Sequence, residues 1–309
     1  MFFVSTLTCV AIMLLYSVPA FLVVKGRLVR QEAISAFATV LMYICQPCLT
    51  VYTFTRVDFS AKLAIDFSIF CLLVLVILGV FLALFYVLFH KKYTDERYRI
   101  YTIATSFSNC TFMGLPLLEK LFPDNPEIVM FSIAFFLSMT LICWTFGSFI
   151  ITGDKRFISL RKMLLNPGMI SVYVSLPLWI LGVKLPGMLE ECMGLLGKMT
   201  TPMCMIVLGM RLATVSIKEV FCNSKQYLVV ALNQFLLPLL AVAMVYFLPL
   251  DTQLKQSFVI LCATPVASVV LNFAEMLGKG QHTAANCVLL GTMGSLLSLP
   301  MVSLLLPLL

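Results

Sequence analysis

The stretch SNCTFMGLP, Ser108 to Pro116, groups hydroxyl, amide, glycine and proline residues inside a run otherwise apolar enough to span a bilayer. It contributes Asn109, Thr111, Gly114 and Pro116, and a second such stretch, ATPVASVVLN at 263–272, contributes Thr264, Pro265, Ser268 and Asn272. Proline removes a backbone donor and clashes with the preceding turn, while glycine and asparagine accept the unusual dihedrals of an interruption. Both runs therefore read as helices broken near the bilayer midplane. A half-helix starting there exposes unpaired backbone N–H groups and the positive end of its dipole, which together suit a carboxylate. Thr264-Pro265 reads as an N-cap followed by proline in the first turn. In the first stretch the restart falls anywhere from Asn109 to Gly114. Ordinary kinks are the competing reading, since Pro and Gly are common in membrane helices and Ser/Thr hydroxyls bond their own backbone.

The elements that would hold these breaks follow from composition. The 309 residues are 61% hydrophobic and 11% charged, with a mean hydropathy of +1.04, an apolar surplus that no water-soluble core of this size could bury. A span takes about 20 apolar residues. The runs near 3–24, 33–56, 61–90, 99–122, 126–151, 167–185, 190–213, 226–249, 254–278 and 283–307 predict an all-α integral membrane protein of about ten transmembrane helices, broken at spans four and nine. Continuous runs of this length do not match the alternating pattern of barrel strands. The first run has no basic segment before it and is read as a retained span, not a cleaved signal.

Fifteen of the 21 basic residues, Lys25, Lys91, Lys155, Arg161, Arg211 and Lys218 among them, fall in one set of alternate loops and six in the other. The positive-inside rule makes the first set cytoplasmic, with both termini outside the cytoplasmic (inner) membrane. The net charge of +7 then belongs to loops beside lipid headgroups and does not describe a nucleic-acid surface. The 11 cysteines lack metal or disulfide spacing and read as small buried hydrophobes. No metal, no cofactor and no catalytic constellation are predicted. A phosphate loop of the form GxxxxGK[ST] is absent, which argues against an ATP-driven pump.

The chain also repeats itself at half its length. Pro47 and Arg56 are answered by Pro202 and Arg211 at an offset of 155, Pro19 by Pro177, and LLEKLF at 117–122 by FAEMLG at 273–278. Five spans per half make the repeat inverted, the symmetry by which secondary transporters alternate access around one site. The halves are 1–151 and 167–309, joined by a cytoplasmic linker at 152–166. Gln46 and Pro47, with Thr201 and Pro202, occupy repeat-equivalent places and face the substrate or only kink their helices. Arg56 and Arg211 are interface anchors or guides for anions. Asp66 is the candidate coupling carboxylate, and Glu275 has Lys279 four residues on as a pairing partner. Asn233 and Gln234, costly in lipid, should face the protein interior.

NPGMISVYVSLPLWILGVKLP at 166–186, LLGKMTTPMCMIVLGMRLA at 195–213, ATPVASVVLNFAEMLGKG at 263–280 and LLGTMGSLLSLP at 289–300 resemble the auxin efflux carrier family, which groups bacterial permeases with plant PIN-formed carriers. SNCTFMGLPLLEKLF is similar to that family's first crossover helix. The resemblance implies a fold like bile-acid symporters and sodium/proton antiporters, with spans four and nine crossing. It implies a scaffold of spans 1, 2, 6 and 7 and a moving transport domain of spans 3–5 and 8–10. Crossover positions carry over to Asn109, Pro116 and Pro265, with Thr264 or Asn272 as the second-half counterpart of Asn109. Only GDKRFISLRKMLLNP at 153–167 separates the halves, so the resemblance points to the bacterial branch and to small organic anions such as malate or malonate. The coupling ion expected is a proton, with sodium in a symporter of the bile-acid type as the alternative, and the partners expected are the anion, membrane lipid and, as an option left open, a second copy of the chain in a homodimer.

Overall fold

The computed structural model describes residues 2–153, 164–215, 220 and 223–309. Apolar runs form helix wherever backbone groups must satisfy one another without water, and no strand occurs among the described residues. In chain order the helices are α1 (Phe2–Lys25), α2 (Ala33–Arg56), α3 (Ala61–Lys92), α4 (Glu96–Ser106), α5 (110–121), α6 (Pro126–Thr152), α7 (Pro167–Ile180), α8 (Gly187–Thr214), α9 (Ser224–Tyr246), α10 (Thr252–Ala263), α11 (Val269–Leu277) and α12 (Gln281–Leu308).

Among the described residues seven helices, α1, α2, α3, α6, α8, α9 and α12, are long and apolar enough to cross a membrane unbroken. The expected sixth span, α7, is shorter at 14 residues. The expected fourth and ninth spans are each two helices, α4 with α5 and α10 with α11, and neither half alone has the length of a span. Most of the expected linker, with Lys155, Arg156, Arg161 and Lys162, lies outside the described residues, as does Lys218.

Packing follows small residues and polar braces. α1 lies along α8, and α2 packs on α7 and α8. α3 packs on α6 and α4, while α9 joins α10 to α12. Among the described residues four π-turns occur in the helices, at Leu41–Cys45, Cys110–Gly114, Cys143–Gly147 and Leu232–Leu236. The last turns Asn233 and Gln234 inward: Asn233 Nδ2 donates to the Thr105 carbonyl at 3.2 Å, Gln234 Nε2 to the Gly291 carbonyl, and Ser298 Oγ to Gln234 Oε1 at 2.7 Å. These bonds tie α9 to α4 and α12, as their cost in lipid predicts. Arg99 closes the end of α6, donating to the Ile150 and Ile151 carbonyls at 2.7 and 3.2 Å, next to Gly153, whose φ of 71° terminates the helix. The ten described cysteines are free, and most are buried.

Candidate functional site

The two breaks meet. Ser108 and Val266 form an antiparallel bridge, with the Asn109 amide donating to the Pro265 carbonyl at 2.7 Å and the Ala267 amide to the Phe107 carbonyl at 2.9 Å. Each interrupted chain thus satisfies part of the other's freed backbone, which lets two non-helical segments sit in the protein interior. Ser108 Oγ adds a bond to the Cys262 carbonyl at 3.3 Å.

The pairing corrects one expectation. Thr264-Pro265 does not open a half-helix: Thr264 is the C-cap of α10 and is extended, with φ −61° and ψ 148°. Proline pushes its predecessor out of the helical region, and the Pro265 carbonyl is committed to Asn109. The restart comes later, at Val269, with Ser268 in the N-cap position. On the first crossover the restart is Cys110, with Asn109 at the N-cap, inside the expected interval. The Asn109 carbonyl accepts from Met113 and Gly114 at 3.3 and 3.2 Å, so the amides of Thr111 and Phe112 stay in an uncommitted first turn. α5 and α11 therefore begin side by side, positive dipole ends converging.

In front of these two N-termini lies a cavity of about 400 Å³. From the crossovers it is lined by Asn109, Thr111, Ser268 and Asn272, and from α2 by Gln46. Gln46, Asn109 and Thr111 are all buried. It reaches Ala38 near the start of α2, Asn166 at the N-cap of α7 and Arg211 in the last turn of α8. Those positions share one end of the bundle, so the cavity extends from the crossover toward that end. Phe112, Phe136, Trp144 and Phe273 supply aromatic wall, with the Trp144 and Phe273 ring centres 5.8 Å apart.

Of the remaining expected site residues, Gly114, Pro116, Thr264, Pro265, Pro47, Thr201 and Pro202 do not line the cavity. Gly114 packs where a Cβ would come within 2.4 Å of Leu261 Cδ2, Pro116 offers its carbonyl to Cys9 Sγ, and Thr264 Oγ1 donates to the Leu261 carbonyl at 2.7 Å. Gly114, Pro116 and Thr264 thus pack or bond within the helices around the break. Asp66 sits apart, in a small polar pocket at the opposite end with Lys62, Asn125, Glu127 and Asp251. The expected pairing of Glu275 with Lys279 is not seen; its Oε1 lies 3.8 Å from Arg211 Nη1 instead. Arg56, the repeat mate of Arg211, pairs instead with Glu190 at 3.7 Å.

Trp144, Phe136 and Asn166 also line the cavity, and they lie outside the residues the sequence pattern marks. Trp144 reaches the cavity through the Cys143–Gly147 π-turn, which leaves no mark in residue spacing. Asn166 was readable in principle: Asn before Pro is a helix-start signal, and its Oδ1 accepts from the Gly168 amide at 3.0 Å.

A helical, multi-pass membrane protein with two interrupted helices meeting over an internal chamber has the form of a membrane transporter. The family model described as membrane transport protein matches residues 4–158 and 155–303, and the chain belongs to that family, the auxin efflux carrier family its motifs resemble. It is a family of transporters, not of enzymes. None of the curated proteins matches the chain.

Proposed function

We propose that the protein is a secondary active transporter of organic carboxylates, working by alternating access at the crossover. The observation that carries this reading is the convergence of two half-helix N-termini, Asn109, Ser268 and one guanidinium, Arg211, on a single chamber. Fixed amide dipoles and a cation in a largely apolar chamber stabilise an anion without a metal or a phosphate donor. Within the class, one carboxylate on an apolar body suits the lining better than a small dicarboxylate such as malate or malonate. Among the described lining residues a single arginine faces walls that are mostly carbon and sulfur.

Alternation would be a movement of α3–α6 and α9–α12 against a scaffold of α1, α2, α7 and α8, the two halves of the chain acting as inverted repeats. With the charge bias setting both termini outside the cytoplasmic membrane, the chamber faces the cytoplasm. A proton is the coupling ion of this reading. Sodium symport is the second reading, and it has an observation of its own: Asn233 Oδ1 is buried with no hydrogen-bond donor among the described residues, next to the Thr105 carbonyl where α4 ends. Carbonyl-rich helix ends of this kind attract monovalent cations.

Liposomes containing the purified protein should take up an aromatic monocarboxylate such as benzoate. Asn109→Ala should slow uptake by about tenfold, the loss of one hydrogen bond to a charged ligand. Equal rates in wild type and variant would remove the crossover from the site, and a rate that collapses when choline replaces Na⁺ would decide for sodium coupling.

A further inference from the structure

Arg211 is the single charged residue among the described lining of the chamber. Its side chain is 28% exposed, that of Glu275 55%. At 3.8 Å their contact is an ion pair too long to be a hydrogen bond. A guanidinium holds five donors in a planar fork that fits a carboxylate bidentately at about 2.8 Å. The long contact with Glu275 leaves that fork without a hydrogen-bond acceptor among the described residues. Asn272, one turn earlier on α11, lines the chamber, which puts Glu275 at its rim on the same helix face.

We propose that Glu275 is a built-in competitor that determines specificity: it occupies Arg211 while the chamber is empty and yields it to the carboxylate of a ligand. This rests on the carboxylate reading above. Once displaced, Glu275 is an unneutralised negative charge at the rim. Its repulsion of the carboxylate held in the arginine fork is offset by that group's own close contact with Arg211. Glu275 does oppose a second carboxylate on the same ligand. The pair Arg211 and Glu275 thereby selects monoanions over dianions.

The probes are benzoate and phthalate, which share a ring and differ by one adjacent carboxylate, titrated calorimetrically into the full chain in nanodiscs. Wild type should bind benzoate more tightly than phthalate. Glu275→Gln, which keeps the shape and removes the charge, should tighten benzoate by about two- to fivefold, the worth of a half-exposed pair. Phthalate should gain about tenfold more, the relief of like charges about 6 Å apart in partly screened surroundings. Glu275→Asp should keep the wild-type order. In an Arg211→Gln background Glu275→Gln has no arginine to release, so the gain for benzoate should shrink, while any phthalate binding that remains should still improve through the lost negative charge. Benzoate binding that requires Arg211 while Glu275→Gln leaves the benzoate-to-phthalate ratio unchanged would overturn the role of Glu275 and spare the site. Failure of wild type to bind either ligand would overturn both.

Discussion

Arg211→Gln should lower carboxylate affinity by about thirty- to a thousandfold, the cost of about 2–4 kcal/mol for removing one partner of a desolvated, hydrogen-bonded charge pair. The size of the effect follows from isolation. No second cation lines the chamber among the described residues, so nothing nearby takes over the charge, and the amides of α5 and α11 contribute only partial charges. Arg211→Lys should recover part of the loss, since an ammonium restores the charge without the bidentate fork. The measurement is calorimetric binding of benzoate, with benzamide as the uncharged control. Benzamide should be indifferent to both substitutions. The same change at Arg56, whose partner Glu190 lies at the other end of the bundle, should leave binding unaltered.

Gly209→Val should damage the fold itself. A Cβ built at Gly209 would lie 2.0 Å from the Ser17 carbonyl oxygen and 2.8 Å from its carbon, and backbone atoms of a helix cannot rotate aside. The α1–α8 pair depends on this approach, because membrane helices associate by close packing and gain nothing from excluding water. Separating them should cost about 3 kcal/mol or more, seen as a large fall in the detergent unfolding midpoint and in yield of monodisperse protein. Gly114→Ala is the informative contrast. Its added Cβ meets Leu261 Cδ2 at 2.4 Å, the end of a side chain with other rotamers, so the fall in midpoint should be much smaller. Equal losses at the two sites would mean that crowding by backbone is not what fixes α1 against α8.

Residue types made the crossover legible. Ser, Asn, Thr, Gly and Pro have no ordinary reason to cluster in lipid, and two such clusters at related positions located both breaks. Composition likewise sufficed for a helical membrane protein. What escaped was whatever depends on a partner distant in sequence. Thr264-Pro265 satisfies every local rule for a helix start, yet the Pro265 carbonyl goes to Asn109, and that bond across the crossover moves the start to Val269. Glu275 has a suitable lysine one turn away and instead lies beside Arg211, 64 positions earlier in the chain. Register along a single helix cannot reveal a contact between two. The π-turns are equally silent, since one extra residue in a turn changes which side chain points inward without changing composition. Trp144 owes its place in the wall to such a turn.

A carboxylate that occupies the chamber below the crossover, with Arg211 as its cation, lies within reach of a tryptophan in the wall. The protein has two tryptophans: Trp144 lines the chamber, and Trp179 is packed against Phe54 and Phe59. Trp179 Nε1 has no hydrogen-bond partner among the described residues, so Trp179→Phe sacrifices no bond and leaves Trp144 as sole reporter. In that background, titration with benzoate should change the Trp144 fluorescence saturably, benzamide should not, and Arg211→Gln should abolish the response. A signal that benzamide reproduces, or that survives Arg211→Gln undiminished, would contradict the account.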